Sequence, residues 1–344
     1  MERQTIPISK VRTILGFIDL MIEIGAPVET WLELHRLPVN IHEDPNAFVP
    51  TKNFWDFLAF AIRKEDIKNL GFRLGQDRTY EMLGQQALSR MATAPTLLAC
   101  IQEFARLMNC DYTAMKVWLT DAGDETVHLH TDKIFPAGSP GFFQTEWLAL
   151  IGMVQVVRLF AGRRWQPNEV ALQSKDELLP LACGFYPDVR FRIGQRGSYI
   201  AISKKLLSLG PHAEMIEVMG GLDPDPDQSS PRDPPVDFPE SLNLLLKSYL
   251  RDGYPSVDLA AELAGISTRT LQRRLSERGL SYSRLVDRTR FELASKLLKS
   301  SDASSLEIAV ETGYKDPSNF ARAFRRLAGC SPREYRRRHA EGLR

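Results

Sequence analysis

Two short stretches near the C-terminus place arginine, amide and hydroxyl side chains on one predicted helix face. The first holds Thr268, Arg269, Gln272 and Arg273; the second holds Ser318, Asn319 and Arg322. An arginine fork matches the O6 and N7 acceptors of guanine, and a glutamine or asparagine amide matches adenine, so these residue types suit the reading of base edges. Neither Thr268–Leu275 nor Pro317–Leu327 contains a carboxylate that would repel phosphate. A further basic run, Arg333, Arg336 and Arg337 around Tyr335, is expected to touch phosphates.

Other candidates for chemistry are weaker. His128 and His130 alternate in a predicted strand and share a face, a spacing that can hold a metal ion, but no third ligand stands nearby and a plain histidine pair is expected. Trp118, Trp147, Trp165, Phe142 and Phe143 could line an apolar pocket, although large aromatics more often fill a core. Arg73, Arg78 and Arg90 could meet a carboxylate, with solvated surface the favoured reading. There is no GxxxxGK[ST], GxSxG or HExxH pattern, and an enzyme is not expected. The four cysteines are scattered without CxxC spacing, which suggests neither a zinc site nor a disulfide framework and fits a reducing cytoplasm. No metal or other cofactor is expected, and the effector-binding residues cannot be named from the sequence.

The elements that must carry the two polar faces form an internal repeat. One copy contains Ala261 four residues before Gly265; the other contains Ala309 four residues before Gly313. This is the chemistry of a helix-turn-helix: a small residue where two helices cross closely, then a residue tolerant of positive φ. Ile266 and Tyr314 follow the glycines and can plug the core below each turn. Ser267 and Asp316 are the predicted caps of the second helices, with Pro317 at the first helical position. Leu271 and Leu275, and in the second copy Phe320 and Phe324, recur at a spacing of four and would anchor those helices. Between the copies, Ser281–Leu298 reads as one long amphipathic helix that would set their separation, about 34 Å if both enter successive major grooves.

Charge supports a division of the chain. The net charge of +1 hides 20 Lys and Arg against 13 Asp and Glu in residues 239–344, leaving 24 against 30 in residues 1–238. A basic C-terminal part on a mildly acidic N-terminal part points to a polyanionic partner for the former alone. The change of sign falls at Gly220–Pro239, rich in proline, aspartate and serine, which reads as a linker. The expected organisation is an effector-sensing and dimerisation domain over 1–219, a linker over 220–238, and a DNA-binding domain of two helix-turn-helix units over 239–340.

The N-terminal domain reads as α+β, helices with small antiparallel strands. Val11, Ile14, Leu15, Ile18, Met21 and Ile22 form one apolar helix face, Thr51 is the predicted cap of a helix over Phe54–Ile62, and Pro95–Met108 and Glu146–Phe160 are further helices. Met115–Leu119 with Thr126–His130, and Val189–Ile193 with Ser198–Ile202, read as two β-hairpins. No apolar run approaches the roughly 20 residues that span a bilayer, and no membrane partner is expected.

The segment from Glu240 to Arg338 resembles the DNA-binding domain of the AraC/XylS family, most clearly in Ala309–Val–Glu–Thr–Gly–Tyr–Lys–Asp–Pro–Ser–Asn–Phe–Ala–Arg–Ala–Phe–Arg–Arg–Leu. Ile24–Leu209 is more loosely similar to that family's arabinose-binding and dimerisation domain, through Gly71–Phe–Arg–Leu–Gly75, Leu83–Gly84 and Ala94–Pro–Thr–Leu97. The resemblance implies a regulator that binds double-stranded promoter DNA, answers a small-molecule effector of unknown identity, works with RNA polymerase and self-associates as a homodimer. It places Thr268, Arg269, Gln272 and Arg273 on the base-reading helix of the first unit, and Ser318, Asn319 and Arg322 on that of the second. Activation is the implied output; repression, or regulation without a ligand, is the alternative.

Overall fold

The computed structural model describes residues 5–123, 125–133, 140–175, 179–213 and 235–341. Most of the expected linker therefore lies outside the described residues. The chain forms two compact units. The larger comprises Ser9–Asn46 and Thr51–Pro234; the smaller takes in Pro235–Arg344, the stretch Ala47–Pro50 and the start of the chain up to Ile8. The smaller unit is thus discontinuous in sequence, a feature absent from the expected division at residue 219.

The larger unit is α+β. Its helices are α1 (Arg12–Glu23), α2 (Val28–Leu34), α3 (Thr51–Glu65), α4 (Leu70–Asp77), α5 (Thr79–Leu83), α6 (Gln85–Ala92), α7 (Leu97–Asp111), α8 (Pro140–Ala161) and α9 (Leu179–Phe185). Helix α3 starts at Thr51 itself, whose hydroxyl pairs with that of Ser9 at 2.8 Å instead of capping the helix. Helix α7 is capped one residue later than the expected start, by Thr96, whose hydroxyl accepts from the Ala99 amide.

Strands β1 (Met115–Asp121), β2 (Thr126–Lys133), β3 (Glu169–Ala171), β4 (Arg190–Arg192) and β5 (Ser198–Ser203) form one sheet in the order β1-β2-β5-β3-β4. The first expected hairpin is present, with Trp118 opposite His130 and Asp121 opposite Val127. The second is not. Strands β4 and β5 form where expected, but β3 lies between them, antiparallel to β5 and parallel to β4. The connection at Gly194 and Gln195 turns back on this inserted segment, donating to the carbonyls of Ser174 and Leu172.

Helix α8 is apolar around much of its circumference, as suits a helix buried on several sides. Trp147, Leu150, Met153, Val156, Val157 and Phe160 are all buried in the main core with Leu129, Ile200 and Ile202 of the sheet. Two glycines let α4 approach it: a Cβ at Gly71 would stand 1.8 Å from the Gln144 carbonyl, and one at Gly75 would stand 2.8 Å from Ile151 Cβ. Glu146 ties α8 to the sheet side. Its buried carboxylate accepts from the amides of Gln173 (2.7 Å) and Ser174 (3.3 Å) and from the hydroxyls of Ser198 and Ser174. These donors satisfy the hydrogen-bonding capacity of a polar group that would otherwise be costly to bury.

The smaller unit's described elements are α10 (Phe238–Lys247), α11 (Val257–Leu263), α12 (Thr268–Ser276), α13 (Tyr282–Ser300), α14 (Ser305–Glu311), α15 (Pro317–Ala328) and α16 (Pro332–Glu341). Helix α13 spans two small cores. Its first half gives Leu285 and Val286 to a cluster with Leu242, Leu246, Ala261, Leu271 and Leu275, which Ile6 and Ile8 complete. Its second half gives Ala294 and Leu298 to a cluster with Ile308, Ala309, Phe320 and Phe324. The chain's start is fixed there by polar contacts too. The Ile6 amide donates to Ser241 Oγ at 3.0 Å, and Ser248 Oγ both accepts from the Phe48 amide and donates to its carbonyl.

Candidate functional site

The two repeated turns are built alike. In the first, the Ile266 amide donates to the Ala261 carbonyl at 3.0 Å and the Gly265 amide to Glu262; in the second, Tyr314 donates to Ala309 at 2.8 Å and Gly313 to Val310. This pair of bonds closes a helix through a left-handed residue, which accounts for a glycine in each turn. The φ angles are +67° at Gly265 and +75° at Gly313. Ala261 and Ala309 are buried where the second helix of each pair crosses. Helix α12 is capped by Ser267, whose hydroxyl accepts from the Thr270 amide, and α15 by Asp316, which accepts from the Ser318 amide with Pro317 in its first turn.

These signals orient both helices. Leu271 and Leu275 hold α12 to the first core, and Phe320 and Phe324 hold α15 to the second. The polar faces consequently point outward: Arg269, Gln272, Arg273, Ser318, Asn319 and Arg322 are all exposed. Two side chains pair along their own helices, Arg273 Nη1 with Glu277 Oε1 at 2.8 Å and Arg322 Nη2 with Asn319 Oδ1 at 2.5 Å. Exposed pairs of this kind are weak and yield to a stronger acceptor. Thr268 differs from its neighbours: it is half-buried and its hydroxyl donates to Asp258 Oδ1 at 2.8 Å. Of the expected phosphate contacts, Arg333 and Arg337 are exposed, whereas Arg336 is half-buried and donates to the Leu298 and Ala303 carbonyls, tying α16 to the end of α13. Arg325 and Arg326 join Arg322 around a shallow concavity on α15, which enlarges the basic face beyond the residues singled out in the sequence.

Arg290 carries no signal in the sequence that marks it out. This buried arginine of α13 donates from Nη2 to the Gly313 carbonyl at 2.7 Å, and its guanidinium lies 4.3 Å from the Tyr314 ring centroid and 5.0 Å from that of Tyr254. It clamps the second turn onto the connecting helix. Nearby, Glu292 of α13 accepts from Asn243 Nδ2, Lys247 Nζ and Arg288 Nε at 2.8–2.9 Å. Burial pushes its pKa up, but Lys247, Asn243 and Arg288 outweigh that and hold it down at about 2.

In the larger unit, Thr13, Phe17, Thr51, Phe54, Trp55, Thr79, Met82 and Phe104 stand among the walls of a cavity of about 90 Å³. None of the aromatics singled out in the sequence lines it: Trp147 and Phe142 are core, and Trp118 stacks on His130 with ring centroids 5.0 Å apart. Arg78 pairs with Glu23 at 2.5 Å, Arg90 with Glu103 at 3.5 Å, and Arg73 is exposed. His128 stacks on Tyr199 at 4.0 Å and His130 pairs with Thr120 at 2.8 Å. Burial lowers the pKa of both histidines, and no group of three potential metal ligands occurs among the described residues. No described helix is long and apolar enough to cross a membrane.

Two helix-turn-helix units on one connecting helix, each turning arginine, amide and hydroxyl groups outward from a stretch without carboxylates, define a DNA-binding transcription regulator. The chain belongs to the AraC family of transcription regulators. Residues 260–338 match the family described as "Helix-turn-helix domain", and residues 25–178 match "Arabinose-binding domain of AraC transcription regulator, N-term". The transcriptional regulator VirS of Mycobacterium tuberculosis is 24% identical over 322 residues, 93% of this chain and 94% of that protein. The transcriptional activator RhaS of Escherichia coli is 39% identical over 99 residues, 28% of this chain and 35% of RhaS. Among solved structures, the DNA-binding domain of AdpA in complex with a target DNA is 32% identical, covering 27% of this chain and 84% of that one, with a TM-score of 0.25.

Proposed function

We propose that the chain is a ligand-responsive activator that reads two adjacent major-groove segments of a promoter. Arg269, Gln272 and Arg273 meet base edges in one segment and Ser318, Asn319 and Arg322 in the other, while Arg333 and Arg337 meet phosphates. Thr268, bonded to Asp258, positions the first helix. Helix α13 holds the two recognition helices about 34 Å apart, one duplex turn. The N-terminal domain binds a small effector and self-associates, and the effector acts by favouring one arrangement of the regulator over another. Activation proceeds with RNA polymerase, in the cytoplasm. This is a regulator and not an enzyme, in keeping with VirS and RhaS.

One observation carries the reading: two independently capped helices, each anchored on its own small core, expose arginine and amide groups free of carboxylates along Thr268–Leu275 and Pro317–Leu327. Footprinting of the full chain on its promoter tests it. Two protected segments one turn apart on one duplex face are expected; a single protected segment would overturn the two-unit arrangement. A promoter-reporter assay with and without effector tests the sign of regulation, and a fall in output on adding effector would overturn activation.

A further inference from the structure

The cavity of the larger unit is almost wholly apolar. Phe17, Phe54, Phe104, Met108, Met115 and Met153 stand among its walls. Its hydroxyls are already engaged in hydrogen bonds within the protein. Thr13 donates to the Lys10 carbonyl, Thr79 to Gly75, Thr145 to Gly141 and Phe142, and Tyr112 to Thr13, while Thr51 pairs with Ser9. One group stands apart. Lys133, at the end of β2, lines the cavity with a buried ammonium nitrogen that makes no hydrogen bond, the one such polar atom among the described residues of the lining. It lies 5.4 Å from the Phe142 ring centroid and 6.0 Å from that of Trp55.

A buried cation without a hydrogen-bonding partner is costly, and a fold keeps one where something else supplies the missing charge. Glu146 attracts it only through space: that carboxylate bonds to Gln173, Ser174 and Ser198, and the Lys133 nitrogen is left without a hydrogen-bonding partner. A sugar would offer many hydroxyls to walls with few donors left and would leave the lysine uncompensated. A phosphate would bring two charges to a single cation. We propose that the cavity takes a small carboxylic acid with an apolar body, its carboxylate paired with the Lys133 ammonium and its hydrocarbon part against Phe17, Phe54, Phe104 and Met108. This rests on the reading of the N-terminal domain as an effector sensor. The volume of about 90 Å³ sets the size. That is less than the roughly 150 Å³ of an engineered cavity that holds benzene, so a short chain or a single ring would fill the enclosed part and extend toward its open side. Burial pushes the Lys133 pKa down to about 7 against the opposing pull of Glu146, so an empty site loses much of its charge near neutrality and a bound carboxylate restores it.

The test uses the full chain with hexanoate and phenylacetate against 1-hexanol, 2-phenylethanol, hexylamine and L-arabinose, read by calorimetry and by thermal shift. The two acids are expected to bind saturably and at least tenfold more tightly than any of the other four. Lys133→Met, similar in length and favourable in a core, is expected to stay folded, to retain DNA binding, and to lose the preference for acids. Alcohols or hexylamine binding as tightly as the acids, undiminished acid binding by Lys133→Met, or no acid binding to the folded protein would each overturn the assignment. The underlying reading is judged separately, in the promoter-reporter assay. A response to some other compound keeps the sensor and removes the carboxylate, while bound acid with an unchanged reporter keeps the site and removes the sensor.

Discussion

At the scale of single residues, the two turn glycines look interchangeable in the sequence and are not so in the fold. Both adopt positive φ, which costs an L-residue about 1–2 kcal/mol. A Cβ at Gly265 would meet nothing within 4 Å, whereas one at Gly313 would stand 2.3 Å from the Leu250 carbonyl and 2.7 Å from that of Gly253. Gly265→Ala is therefore expected to cost only the conformational term, and Gly313→Ala a further ~1–3 kcal/mol of overpacking, measured by denaturant unfolding. On the DNA side, Arg273→Ala is expected to weaken specific binding by about 1–3 kcal/mol and to relax selectivity at one base pair. Equal affinity for operator and mismatched site before and after the change would remove Arg273 from the base-reading set. The outward residues were legible because a period of four for the leucines and phenylalanines fixes which way everything else on α12 and α15 must face. The packing role of Thr268 and Arg336 was not, because their partners Asp258, Leu298 and Ala303 lie elsewhere in the chain, at distances in sequence that no local pattern encodes.

At the scale of elements, α13 contributes to two small cores, and its charged contacts help join them. Replacing Arg290 with methionine removes the clamp on the second turn and strands the Gly313 carbonyl. A loss of about 1–3 kcal/mol is expected, with the footprint thinning over the second segment first. Glu292 gives a pH signature. Its folded pKa is depressed to about 2 from an unfolded value of 4.5, so its contribution is complete above pH 4.5 and drains away as pH falls toward 2. The contribution is ~3 kcal/mol at most, and Glu292→Gln is expected to flatten the acid limb of the stability profile over that window, followed by circular dichroism. Elements with strong local signals were readable: caps at Ser267 and Asp316, the long helix α13, and the helix over α8. The sheet order was not. Strand β3 has three residues and too little alternation to announce itself, so β4 and β5 looked adjacent when the Gly194 loop in fact turns around it.

At the scale of the whole molecule, charge and proline content suggested a mildly acidic N-terminal part and a basic C-terminal part, but gave no sign that the residues up to Ile8 pack with the latter. Ile6 and Ile8 are isoleucines in a polar context, and their burial against Leu242 and Leu245 arises only from tertiary packing. Ile6→Ala is expected to destabilise the smaller unit by about 2–5 kcal/mol, seen as an earlier loss of DNA binding on heating while the larger unit's unfolding stays in place. The same connectivity also orders events during synthesis. When Ile6 leaves the ribosome, the helix bearing Ser241 has not been translated, and 235 residues separate the two ends of that bond. The smaller unit cannot close its core until the larger unit has been made in full, so a stalled or truncated product would carry a complete larger unit and no competent grip on DNA.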